Sequence, residues 1–393
     1  MPSGKGNKKT MTEFKDTKRG KFDYILLAAV LALVVIGLVF VYSASFYTAE
    51  KNTGNKYFYL IKQSFGCFVG LIVLFLARLL PQKLLKRAAL PLAILSAVLL
   101  GLVLIPGVGV ENYGARRWIG VGSMTFQPSE IAKFALVLFT AWYVSKEKVD
   151  IKKFKSLLPI IAVGGVYCLL IIAEPNMSIT VCAGAVMLIL LFVSGARIKH
   201  FVFIVAPVLA AVPLLIFAEP YRIKRLLAFL DPWASPKDEG YQLIQSLYAL
   251  GSGGWFGIGL FNSRQKYSFL PFAESDFVFS VIGEETGVLG CLAVVALFVV
   301  VIMQGTKIAV NSSDLFDTVL AGGITAVIGV QAAMNFAVVT GLIPPTGLPL
   351  PFISFGGTSL VVFLAAVGLL QGIYRRNTER RLTEKSVLPY IKM

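Results

Sequence analysis

Apolar residues gather into ten long runs along the chain, over about residues 23–45, 57–77, 88–106, 128–145, 157–173, 179–196, 200–219, 277–303, 315–340 and 355–374. Each is about 17–27 residues long, enough for a helix to cross a hydrocarbon core of roughly 30 Å. The pattern predicts an all-α polytopic membrane protein with ten transmembrane helices. Most connections are short and polar, but three are long: about 106–127, about 220–276 and about 341–355. Long ordered loops on a rigid helical scaffold usually carry function.

The polar stretches between the runs differ in charge, and the difference orients the bundle. With ten spans both termini share a side. Placing them in the cytoplasm puts 25 of the 37 Lys and Arg in the inner segments, from the first 21 residues to the tail beyond residue 374. That asymmetry follows the positive-inside rule, so all three long loops face outward. The chain then divides into a basic tail (1–21), a membrane domain (22–374) with a large extracytoplasmic loop between helices 7 and 8, and a second basic tail (375–393).

Composition agrees: 56% of residues are hydrophobic and only 15% charged, with a mean hydropathy of +0.77. A soluble chain of this length exposes far more charge. The net charge of +16 reads as basic flanks beside anionic lipid, and no basic stripe with interleaved aromatics points to nucleic acid. The first run is followed by "YSAS", as in a cleaved signal, but it exceeds 15 residues and nine runs follow, so an uncleaved helix is expected. Cys67, Cys168, Cys182 and Cys291 lie inside runs without metal-ligand spacing, which predicts packing roles. His200, the only histidine, stands at a predicted helix start and is expected at the membrane interface. One histidine and no cysteine cluster exclude a zinc site and a Ser-His-Asp triad.

Acids are costly in lipid, yet "PFAESDFVFSVIGEE" (271–285) packs Glu274, Asp276, Glu284 and Glu285 around the start of the eighth run. On one continuous helix Glu284 and Glu285 stand about 12–14 Å deeper than Asp276. They are expected to face the bundle interior and pair with Lys133 or with backbone groups. In the first long loop, Arg116 and Arg117 form paired guanidiniums suited to phosphate or pyrophosphate. Glu130 and Lys133, three apart on one helical face, can offset each other's charge. The large loop opens on "RIKRLLAFL", with Arg222, Lys224 and Arg225 before an apolar face, as in a helix lying at the membrane surface. Its glycine run "GSGGWFGIG" permits close backbone approach but is no Walker motif. "PPTGLPLPFISFGG", with Ser354, reads as a broken or re-entrant outer segment.

Together "GARRWIGVGSMTFQPSEIAK", "RLLAFLDPW", "GYQLIQSLYALGSGG", "QKYSFLP", "SDFVFSVIGEETG" and "PPTGLPLPFISFGGTSL" resemble the SEDS family, the FtsW, RodA and SpoVE proteins, over about residues 22–374. "RLLAFLDPW" and "PPTGLPLPF" look more like FtsW and SpoVE. The resemblance implies a ten-span peptidoglycan glycosyltransferase that polymerises lipid II outside the cytoplasmic membrane beside a class B penicillin-binding transpeptidase, in division or sporulation. Phe272 replaces a glutamate of the family's acid-loop pattern and Glu274 a frequent histidine, while the catalytic aspartate position is kept at Asp276.

Such chemistry joins a sugar hydroxyl to an anomeric carbon and releases a lipid pyrophosphate. Asp276 is the candidate base for the hydroxyl proton. Positive charge must meet the leaving group, from Arg116, Arg117, Arg222, Arg225, Lys266 or a divalent cation such as Mg or Mn. Lys133, Glu130 and Ser354 complete the expected substrate-contacting set. A lipid II flippase and a non-catalytic division scaffold remain as alternatives. Clustering of motifs at the outer face and the lack of internal repeats speak against the flippase, and the scaffold has no need of Asp276.

Overall fold

A computed structural model describes residues 22–112, 115–121, 124–217, 220–345 and 347–391. The expected N-terminal tail, residues 1–21, lies outside them. Helices stand at all ten predicted positions: α1 Tyr24–Thr53, α2 Phe58–Leu79, α3 Gln82–Val103, α4 Pro128–Val144, α5 Phe154–Ala173, α6 Met177–Val193, α7 Ile198–Phe217, α10 Val278–Val310, α11 Leu315–Val339 and α12 Gly357–Ile391. Seven of the described helices (α1, α2, α3, α5, α10, α11 and α12) are long and apolar enough to cross a membrane. The others are shorter or interrupted. α4 and α6 have 17 residues each, and α7 carries Pro207 and Pro213.

Local signals set the helix ends. Asp23 caps α1 by accepting the Leu26 N–H at 3.0 Å, Asn176 caps α6, Asp314 caps α11 and Pro128 opens α4. Asp23 also exchanges backbone hydrogen bonds with the Gln371 amide, both 2.9 Å, which latches α1 to α12. Within the large loop, α8 (Pro220–Leu230) and α9 (Tyr241–Gly253) flank a 3-10 turn at Pro232–Ala234. Leu227, Leu230 and Trp233 form an exposed apolar stripe, as the amphipathic pattern predicts.

Three features add to the pattern read from the sequence. The first long loop contains an antiparallel sheet, β1 (Gly109–Asn112), β2 (Ala115–Val121) and β3 (Met124–Phe126), in the order β1-β2-β3. Its strands have only four, seven and three residues, too short for a recognisable alternation. α12 continues through the second basic stretch to Ile391. Arg376 grips buried Asp317 through two hydrogen bonds, and Arg381 reaches Asn311, so the helix is held beyond its apolar part. His200 is buried and packs against the Phe154 ring at 5.6 Å, since the α5 start covers it.

Candidate active site

Asp276 is the penultimate residue before α10, half-buried where the large loop meets the proline-rich segment. Three ties fix its backbone. Asn335 on α11 donates from one amide to the carbonyls of Asp276 (2.9 Å) and Leu348 (2.7 Å). The Ser354 hydroxyl donates to the Ser275 carbonyl, and the Phe355 N–H donates to the Glu274 carbonyl at 2.8 Å. The acid loop and the segment 344–356 are therefore stitched into one piece. Gly347, at φ 71°, passes so close that a Cβ there would stand 3.2 Å from Asp276 Oδ2. Only glycine adopts that backbone at no cost and leaves the carboxylate open on this side.

Charge converges on this carboxylate from distant segments. Arg117 on β2 and Arg225 on α8 both act on it and favour its ionised form. Burial and the neighbouring Glu274 act more strongly the other way and push Asp276 up to about 6. Arg225 is braced by the Pro345 carbonyl at 3.3 Å, and Arg117 by the Pro175 carbonyl at 2.6 Å. Glu174 lies beside Arg117, fully buried, and burial pushes its carboxyl to about 8.

Beneath the loop, Lys133 and Glu130 form the ion pair their spacing predicts, at 2.9 Å and fully buried. Lys133 also donates to the Gln331 amide oxygen, and Gln331 donates onward to the Pro349 carbonyl at 2.9 Å. Glu130 accepts from Ser359 at 3.1 Å. The pair thus supports the proline-rich segment from below, through α4, α11 and α12.

The family model described as "Cell cycle protein" for FtsW, RodA and SpoVE matches residues 24–379. The chain belongs to the FtsW/RodA/SpoVE family. Stage V sporulation protein E of Bacillus subtilis is 39% identical, covering 91% of this chain and 98% of its own length. A probable peptidoglycan glycosyltransferase FtsW of Geobacter sp. strain M18 is 38% identical, covering 90% and 97%. Among solved structures, one titled for polymerization and crosslinking by a peptidoglycan synthase complex superposes with a TM-score of 0.76 at 30% identity, covering 91% of this chain and 98% of that one. The crystal structure of Thermus thermophilus rod shape determining protein RodA gives 0.66 at 27% identity, covering 91% and 97%.

In this FtsW/RodA/SpoVE chain, the remaining candidates separate from Asp276. Arg116 points along the sheet and pairs with exposed Glu111 at 3.0 Å, because alternate strand residues face opposite ways. The Arg222 side chain lies outside the described residues. Ser354 is buried and holds the loop, accepting the Leu350 N–H at 2.7 Å while binding Ser275, so it is a brace. Lys266 is fully buried, paired with Glu285 at 3.0 Å and close to Ser43. It cannot reach a head group.

The deeper acids meet the expectation through its backbone alternative: both are buried, and both carboxylates accept backbone N–H groups. Neither pairs with Lys133, whose partners are Glu130 and Gln331. Just beyond the two acids α10 is interrupted: at Gly287 the backbone turns to φ 69°, ψ −166°. The glycine run fills the break. Ile258 and Gly259 donate to the carbonyls of Glu284 and Glu285, and Val288 donates to the Gly254 carbonyl. Glu285 accepts from Phe261, Ser263 and Ser43, and Glu284 from the Ser263 hydroxyl and the Arg264 N–H. The two acids anchor the loop that delivers Asp276. Gly287→Ala should lower the midpoint of thermal unfolding in detergent, with a backbone penalty of about 1–3 kcal/mol and a clash with the Trp255 carbonyl in addition. An unchanged midpoint would show that the break tolerates a side chain. Lys266→Met should cost roughly 3–5 kcal/mol, since Glu285 would lose its counter-charge, whereas a lysine serving only substrate would leave stability intact.

Asn335, Gln331 and Gly347 are absent from the sequence-derived set. The two amides were visible as polar residues four apart inside an apolar run, a spacing that places both on one helical face. No group of three or more His, Cys, Asp or Glu side chains converges among the described residues. Asp276 and Glu274 offer two adjacent carboxyls, a donor set that suits an ion taking its other ligands from water and substrate phosphate.

Proposed function

We propose that this protein is a peptidoglycan glycosyltransferase that polymerises lipid II into glycan strands at the outer face of the bacterial cytoplasmic membrane. One observation carries the reading: Asp276, Arg117 and Arg225 come from three separate segments and converge beside the stitched proline-rich segment. A base with cations close by is what the reaction needs, since a sugar hydroxyl loses a proton while a pyrophosphate leaves. Asp276 takes the acceptor proton, and Arg117 and Arg225 meet the pyrophosphate. Asp276 and Glu274 would hold a divalent cation, which when bound adds positive charge on the leaving oxygens.

All ten helices span the membrane in this reading, with both termini cytoplasmic, and the protein acts at the septum or in spore cortex synthesis. Its partner is a class B penicillin-binding transpeptidase. The names of the relatives and the complex title of the solved structure support this assignment.

The test is glycan synthesis from lipid II by purified protein with its transpeptidase, resolved on a gel. Long chains support the polymerase. Lipid transfer across vesicles without chains would favour a flippase, and neither activity would leave a scaffold. The rate should also depend on pH. The base works ionised, so with Asp276 near 6 activity falls as pH drops through about 6 and is level above it. Residual activity of the Asp276→Asn variant that keeps the same limb near pH 6 would assign the ionisation elsewhere.

A further inference from the structure

At the opposite end of the bundle from Asp276, a cavity of about 350 Å³ opens between the start of α1, the end of α10 and the extension of α12. That volume is within the range of small-ligand pockets. Its polar lining includes Asp23, Gln304, Lys307, Asn377, Thr378 and Arg381. Lys307 is exposed, and its ammonium group has no hydrogen-bond or ion-pair partner among the described residues. Arg381 donates to the Asn311 amide oxygen at 2.7 Å, which leaves most of its guanidinium N–H groups to point elsewhere.

Asn377 adds a second, independent sign. It is only 7% exposed and its Nδ2 donates to Ser312 at 2.9 Å, yet its Oδ1 is buried with no donor in reach. A buried amide oxygen left without a partner costs free energy unless something supplies a hydrogen-bond donor. The cavity therefore combines two cations with an acceptor in want of a donor. Its rim is apolar. Tyr24 is 65% and Ile25 58% exposed on the outer surface of α1, beside the mouth.

We propose that this cavity binds a phosphate ester bearing hydroxyl groups, namely the phosphoglycerol head group of an anionic lipid in the inner leaflet. Lys307 and Arg381 take the phosphate, and Asn377 Oδ1 accepts a glycerol hydroxyl. The acyl chains lie along Tyr24 and Ile25. The lipid source rests on the orientation in the proposed function, which sets this end of the bundle at the cytoplasmic surface, where anionic head groups and basic flanks meet. A soluble glycerol phosphate offers the same chemistry without the chains.

Native mass spectrometry of the full chain released from detergent separates these sources. The protein is titrated with phosphatidylglycerol, with phosphatidylcholine of the same acyl chains, and with glycerol phosphate as competitor. One phosphatidylglycerol should be retained in preference to phosphatidylcholine. The Lys307→Gln/Arg381→Gln variant should retain it roughly tenfold less or weaker still. Displacement by millimolar glycerol phosphate would keep the site and reassign it to the soluble ester. Equal retention of both lipids, or retention unchanged in the double variant, overturns the proposal. The single Lys307→Gln variant, altered only at an exposed side chain, serves if the double variant unfolds. Lipid retention is read without lipid II, so failure of the polymerase assignment leaves this result standing, and the reverse holds too.

Discussion

Asp276→Asn is expected to fold, insert and polymerise almost no glycan. An amide cannot take the acceptor proton, and a positioned general base is typically worth about 10²–10⁴-fold in rate. Stability should move in the other direction. Burial and Glu274 disfavour the ionised carboxylate, so a neutral isostere removes a cost, and thermal unfolding should be unchanged or slightly raised. The backbone ties from Asn335, Ser354 and Phe355 do not use the Asp276 side chain, so the loop should keep its place. A variant that is at least as stable as the parent and yet inactive separates a chemical role from a structural one. Polymerisation within about tenfold of wild type, in folded protein, would remove Asp276 from the role of base.

The Lys133–Glu130 pair should show a different signature. Removing one partner of a buried ion pair typically costs roughly 3–5 kcal/mol, because the other charge is left uncompensated. Lys133→Ala and Glu130→Ala should each lower the unfolding midpoint sharply. The double variant should lose less than the two combined, since no lone charge remains. Activity should fall in all three, because Gln331 loses the Lys133 contact and with it the brace under Pro349. Thermal shifts and polymerisation measured in parallel on the four proteins decide the matter. Additive stability losses would refute the pairing. Stability kept with activity lost in Lys133→Ala would instead put that lysine on the substrate.

The helices were legible because a span needs only length and apolarity, and Asp276 because an acid at a membrane mouth is conspicuous. The motifs carry the family resemblance without any geometry. Other features were hidden for identifiable reasons. The short strands at 109–126 carry too few residues for a pattern. The break at Gly287 sits inside an apolar run just beyond Glu284 and Glu285, and nothing in the hydrophobic pattern marks it. A basic residue in a loop reads as exposed, and only tertiary contacts reveal that Lys266 is committed to Glu285. Arg116 and Arg117 are adjacent and chemically alike. The pleat of β2 alone separates them, sending one to Glu111 and the other towards Asp276.

The stitching of the acid loop bears on how the protein is born. Chains leave the ribosome from the N-terminus, and Ser354 is synthesised 79 residues after Ser275, the carbonyl it must bind. At about 5–20 residues per second, that is a delay on the order of 4–16 s. During it Asp276 is already out with at most the tie from Asn335, which itself follows 59 residues later. The latch between Asp23 and Gln371 spans 348 residues and closes later still. A nascent or truncated chain that stops short of Ser354 therefore carries the acid without the geometry to use it, and competence arrives only with the proline-rich segment.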